Sequence, residues 1–150
     1  MSTVSLAQEV HIQCPACEQG LQTSLWFIVH REERRDLWRA ARNGTLNRFR
    51  CPHCGVSVRG NVSLLFYAHG ESPFALFSPP FGVEMEECVE VGRSLLATLE
   101  ARLGVTVERR VAVAPRDELL HFLDQMDCPD PPTELLDAIR TLHDLEERAE

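Results

Sequence analysis

Between Leu21 and Val29 the chain alternates, with Leu21, Thr23, Leu25, Phe27 and Val29 interleaved with Gln22, Ser24, Trp26 and Ile28. A period of two predicts a strand, and apolar residues in both registers at its end predict a strand covered on both faces there. Val10 to Gln13 predicts a shorter strand before it. Arg31 to Asn43 is a run of good helix formers closed by Asn43-Gly44, where glycine can take the left-handed conformation that ends a helix. Beyond Leu46 to Arg50, the segments Val56 to Arg59, Ser63 to Ala68 and Phe74 to Phe77 read as strands. They are separated by Gly60-Asn61 and His69-Gly70-Glu71-Ser72-Pro73, both with turn chemistry. The first half therefore reads as mostly antiparallel sheet with one inserted helix.

From Glu84 to Leu103 the period lengthens, and Met85, Val89, Gly92, Leu96, Leu99 and Leu103 recur at four- and three-residue steps on one helix face. Acidic residues crowd its start, Arg102 stands near its end and Gly104 is placed to close it, as the helix dipole favours. Val105, Val107, Val111 and Val113 predict a strand interrupted by Arg109. Asp117 to Met126 predicts a helix after Pro115. The segment Asp127-Cys128-Pro129-Asp130-Pro131-Pro132 is a stiff connector, and Thr133 caps a last helix carrying Leu135, Leu136, Ile139 and Leu142. The expected fold is α+β: a zinc-ribbon-like antiparallel portion with an inserted helix over residues 1–82, and an α/β portion over 83–150, packed as one body.

Two Cys-Pro-x-Cys turns add chemistry to this pattern: Cys14-Pro15-Ala16-Cys17 and Cys51-Pro52-His53-Cys54. Four thiolates complete a tetrahedral set for one metal ion and leave no position for water or substrate, so the expected role is structural. Zinc is the expected metal, with iron as the alternative because rubredoxin-like knuckles read the same way. The 33 residues between Cys17 and Cys51 exceed the roughly 15 to 20 of the compact double pattern, which fits an inserted strand and helix. A thiol oxidoreductase is the competing reading, but its reactive cysteine sits at a helix N-terminus. The residues after Cys54 read as a strand. Gly55 suits the positive φ that such a knuckle needs, whereas Glu18 stands at the matching place in the first. That predicts a less regular first knuckle, easier to oxidise.

Composition narrows the functions further. All fifteen basic residues are arginine, so mechanisms that need a lysine, including Schiff bases and phosphate-loop lysines, are excluded. Residues 1–79 hold eight Arg against six acidic residues, and residues 80–150 hold seven against seventeen. An acidic second half repels phosphates, which argues against nonspecific nucleic-acid or anionic-membrane binding there. No signal peptide or membrane span is expected, and cysteines used in pairs fit a reduced, cytoplasmic protein. Cys88 and Cys128 read as a core cysteine and an incidental thiol. The six histidines show no ligand spacing.

Around the cysteines, Gly44-Thr45-Leu46-Asn47 before Cys51-Pro52-His53-Cys54-Gly55, and Leu64-Leu65-Phe66-Tyr67 after it, resemble the CpXC domain proteins of bacteria and archaea. Pro115-Arg116-Asp117-Glu118-Leu119 resembles their later part. The family has no assigned biochemical function, so the resemblance implies the fold and the metal site and carries over no catalytic residue. The expected function is a zinc-binding, noncatalytic module that docks an unidentified protein partner. A nucleic-acid-binding zinc ribbon is the alternative, since Arg31, Arg35, Arg39 and Arg42 fall on one helical stripe with Arg34 and Trp38 at its margin. The opposing reading pairs that stripe with the chain's own acidic half, near Glu84 to Glu90.

Overall fold

The computed structural model describes residues 4–68, 74–104, 111–114, 116–126 and 140–141. Its strands are β1 (Leu6–Gln13), β2 (Gly20–His30), β3 (Arg48–Arg50), β4 (Ser57–Arg59), β5 (Leu64–Ala68), β6 (Phe74–Ser78), β7 (Val111–Val113) and β8 (Arg140–Thr141), and its helices are α1 (Arg35–Arg42), α2 (Val89–Leu103) and α3 (Leu119–Met126). Six strands form one sheet in the order β1-β2-β5-β6-β7-β8, while β3 and β4 make a separate hairpin. The content is α+β as expected. The sheet is mixed: β2 runs parallel to β5 and β6 parallel to β7, and the remaining pairs are antiparallel. Each parallel pair needs a crossover. The segment holding α1 and the β3–β4 hairpin supplies the first, and the segment holding α2 the second.

Alternation sorts the side chains of the central strands onto two faces. Ile28, Leu65, Tyr67, Ala75, Phe77 and Val113 face α2 and its buried Val89, Leu95 and Leu99. Val29, Leu64, Phe66, Leu76, Ala112 and Ala114 face the opposite way, onto Leu37, Trp38 and Ala41 of α1 and Leu119, Phe122 and Leu123 of α3. The sheet is thus covered on both sides, which explains why β5 is buried at all five positions. Cys88 belongs to the α2 face and is a core residue.

Several expectations move. Residues 31–34 form a turn before α1 and not its first coils, because Glu33 is diverted to accept the backbone amides of Val4 and Ser5, each at 2.8 Å. Its own amide bonds to His30 Nδ1 at 3.1 Å. The helix expected from Glu84 begins with a 3-10 turn, Met85–Cys88, and its buried face centres on Leu95 in place of Leu96. Gly104 closes α2 at φ 77°. The helix expected through Leu142 is contradicted at Arg140–Thr141, which pair antiparallel with Val113 and Ala112 of β7. A short apolar run does not separate helix from strand by periodicity alone. The 69–73 turn, Val105, Val107, Arg109, Cys128 with its connector, Thr133, Leu135, Leu136, Ile139 and Leu142 lie outside the described residues.

Candidate metal centre

Each cysteine pair sits in a turn between two strands, the first joining β1 to β2 and the second joining β3 to β4. The two turns close with the same bonds. Glu18 donates its amide to the Cys14 carbonyl at 2.9 Å and Cys14 donates to Gln19 at 3.0 Å; Gly55 donates to Cys51 at 2.8 Å and Cys51 to Val56 at 2.9 Å. Gly55 takes φ 75° and Glu18 takes φ 62°, so the first knuckle is as regular as the second. The irregularity expected from Glu18 is therefore absent from the backbone. The residue accepts a left-handed conformation that glycine adopts freely.

These turns bring Cys14, Cys17, Cys51 and Cys54 together, with all four sulfurs within 4.8 Å of one another. Cys14 Sγ lies 3.7 Å from Cys54 Sγ, and Cys17 Sγ lies 3.7 Å from Cys51 Sγ. A disulfide holds its sulfurs at about 2.05 Å, so these are free thiols. A zinc–sulfur bond of about 2.3 Å sets the edge of a thiolate tetrahedron near 3.8 Å, close to the two 3.7 Å separations within a cluster that spans up to 4.8 Å. The donor set fits a metal ion.

Backbone amides surround the sulfurs in matching positions. The amides of Ala16 and Cys17 point at the Cys14 sulfur and that of Gln19 at Cys17. The His53 amide lies 3.4 Å from the Cys51 sulfur, and the Val56 amide points at Cys54. Such amides stabilise thiolate charge and orient the ligands. The Cys17 amide, helped by Ala16 and opposed by burial, brings the Cys14 thiol down to about 6. Cys17 is also drawn down by the Gln19 amide, but burial and the three neighbouring sulfurs outweigh it and push the thiol up to about 12. The Val56 amide, with Cys17, draws Cys54 down, but partial desolvation and the Cys51 and Cys14 sulfurs outweigh it and raise the thiol. One thiolate forms readily and repels the next, the arrangement a divalent cation relieves.

Around the cluster the apolar support is small: Leu21 and Val58 are buried with Cys14 and Cys51, and Ile12 and Phe49 pack at the margin. Asn47 connects this unit to the large sheet. Its side-chain amide accepts from the Trp26 amide at 2.8 Å and donates to the Trp26 carbonyl at 3.0 Å, on the stretch of β2 that β5 does not pair with. Gly60 lies against Leu25 so closely that a Cβ would stand 2.5 Å from a Leu25 methyl. Sequence reasoning singled out Asn47 only as part of a motif and Gly60 only as a turn residue. The positive φ of Asn47, 62°, and the approach of Gly60 are what those residue types allow.

The arginine stripe holds together: Arg31, Arg35, Arg39 and Arg42 line one surface hollow with Glu32 and Trp38. Arg31 pairs with Glu32, Arg34 with Asp36 and Arg42 with Asp124 of α3. The acidic half does supply a partner for Arg42, Asp124 of α3. Trp38 is 5% exposed and packs edge-on against Phe66, so its ring is not a stacking platform. No helix follows either knuckle; each leads into a strand. His53 and His11 are exposed.

A mixed sheet with a paired-knuckle set of four thiols defines an α+β protein with a site able to hold a metal ion. A model of the CpXC protein family matches residues 12–121, and the chain belongs to that family. The matched region contains both knuckles, the end of β1, the strands β2 to β7 and the start of α3. No curated protein and no solved structure matches the chain. No helix among the described residues is long and apolar enough to cross a membrane.

Proposed function

We propose that the protein binds one zinc ion through Cys14, Cys17, Cys51 and Cys54 as a structural centre, and acts as a noncatalytic module for protein interaction. The observation that carries the metal assignment is the 3.7 Å sulfur spacing inside a matched shell of backbone amides. Four thiolates close the coordination sphere, and closed sites hold folds together. The interaction role draws support from neighbouring exposed apolar side chains at Phe81, Val83 and Leu120, the last 52% exposed. Ion pairing of Arg31 and Arg42 and burial of Trp38 weigh against nucleic acid, and the strand that follows each knuckle, where a reactive cysteine uses a helix N-terminus, weighs against thiol redox catalysis.

Native mass spectrometry on protein purified without chelators tests the metal assignment. One zinc per chain, with the knuckle thiols unreactive until unfolding or chelation, is expected; metal-free protein with reactive thiols would reject it. For the interaction role, a captured partner should be lost on Leu120→Glu at unchanged metal content. Capture indifferent to charge at Leu120 and at Phe81 would count against these surfaces.

A further inference from the structure

Arg59 of β4 and Arg116, just before α3, reach the same aromatic ring: each guanidinium carbon lies 5.6 Å from the centroid of Phe81. Arg116 is half-buried and braced by its Nη2 donating to the carbonyls of Val62 and Ser78 and its Nε donating to Ser78 Oγ. Arg48 stands directly opposite Arg59 in the β3–β4 pairing. Among the described residues none of the three guanidiniums is in an ion pair. Arg59 and Arg116 meet on one ring and repel one another, and burial together with the charge of Arg59 brings Arg116 down to about 10, although Glu84 and Asp117 line a neighbouring hollow with it. Such an arrangement costs stability unless an anion completes it.

Beside Phe81 is a cavity of about 130 Å³ whose walls include Leu64, Phe81, Leu119 and Leu120 together with Arg59 and Arg116. Drug-sized ligands occupy about 300 Å³ or more, while about 150 Å³ holds a benzene-sized group. We propose that this pocket binds a carboxylate carried on one compact apolar group, such as a branched aliphatic or phenyl acid, with the arginines holding the carboxylate and the leucines holding the apolar body. Arg59 can offer its planar fork to a carboxylate in two parallel bonds, while Arg116, whose Nε and Nη2 are held by Ser78 and Val62, adds its charge and its Nη1. The acid is either a free small molecule or the end of a peptide chain, which present the same chemistry. The inference goes beyond the metal-site reading and uses none of the cysteines.

Phenylacetate titrated into metal-loaded, nitrogen-15-labelled protein tests it by nuclear magnetic resonance. Saturable shifts are expected at Gly60, the Asn47 side-chain amide and Leu120. Phenylacetamide, which keeps the ring and loses the charge, should bind at least about tenfold more weakly, the usual worth of a bond to a charged group. Arg59→Gln should weaken phenylacetate by a similar factor and Arg59→Lys by less. Arg59 is exposed and carries no described structural hydrogen bond, so these variants are expected to fold. Acetyl-Gly-Phe with a free carboxylate, compared with phenylacetate, separates the sources: tighter binding of the dipeptide assigns a chain end, and tighter binding of phenylacetate assigns a free acid. Absence of shifts at millimolar phenylacetate, equal binding of the amide, or equal binding of inorganic phosphate would each overturn the proposal.

Discussion

Glu18 holds at φ 62° the conformation that Gly55 holds at 75°, and a side chain in that region costs about 1 kcal/mol relative to glycine. Glu18→Gly should therefore raise stability by about that amount in denaturant unfolding of the metal-loaded protein, and a loss would reveal a compensating side-chain contact. Asn47→Leu removes both bonds to the Trp26 backbone and forces a branched residue into φ 62°. A loss of about 2–3 kcal/mol is expected, with Asn47→Asp costing less because it keeps an acceptor for the Trp26 amide. For Glu33, burial raises the carboxyl, but the amides of Val4 and Ser5 with the charge of His30 hold it below the ordinary carboxylate value. A depressed folded value means its stabilisation is present above the ordinary pKa and disappears as pH falls through the folded one. Glu33→Gln should then cost about 1 kcal/mol at neutral pH, a figure reduced for solvent screening, and the gap to wild type should close in acid. A gap that widens in acid would contradict the assignment. At this scale the cysteines were legible because their chemistry lies in spacing alone. Asn47 was not, since nothing in Gly-x-Leu-Asn names Trp26 as the backbone it reaches.

The knuckles and the β3–β4 hairpin are the element that a metal on the four thiols would support most, since strands of three residues and a cluster around Leu21 and Val58 bury little apolar surface. The main sheet has α1, α2 and α3 packed on it. Cys51→Ser should abolish amide-exchange protection over 48–59 while Leu65 to Tyr67 and Ala75 to Phe77 keep theirs. Simultaneous loss in both regions would show that the metal supports the whole fold. Gly60→Ala, with its new methyl against Leu25, should cost about 1–3 kcal/mol in thermal or denaturant unfolding. Strands β2, β4 and β5, the C-terminal end of α2 and helix α3 were readable from period and punctuation. The start of α1 was not, because Glu33 is claimed by the amides of Val4 and Ser5 from a distant part of the chain. Arg140–Thr141 escaped for a related reason: pairing with β7 decides a conformation that local apolar spacing leaves open.

For the whole molecule, alternation announces strands but not their neighbours, so the parallel pairings of β2 with β5 and β6 with β7 could not be read from the chain. Charge asymmetry between the halves was legible, whereas its use, Arg42 on Asp124 across α1 and α3, is a matter of packing. The same holds for Arg59, Arg116 and Phe81, which no sequence spacing links. What the chain did announce is the centre on which the account rests, four thiols from two knuckles. X-ray absorption at the zinc edge of protein purified without chelators tests that claim most directly. Four sulfur neighbours at about 2.3 Å and no nitrogen or oxygen in the first shell are predicted; a mixed shell, or an edge belonging to another metal, would contradict it.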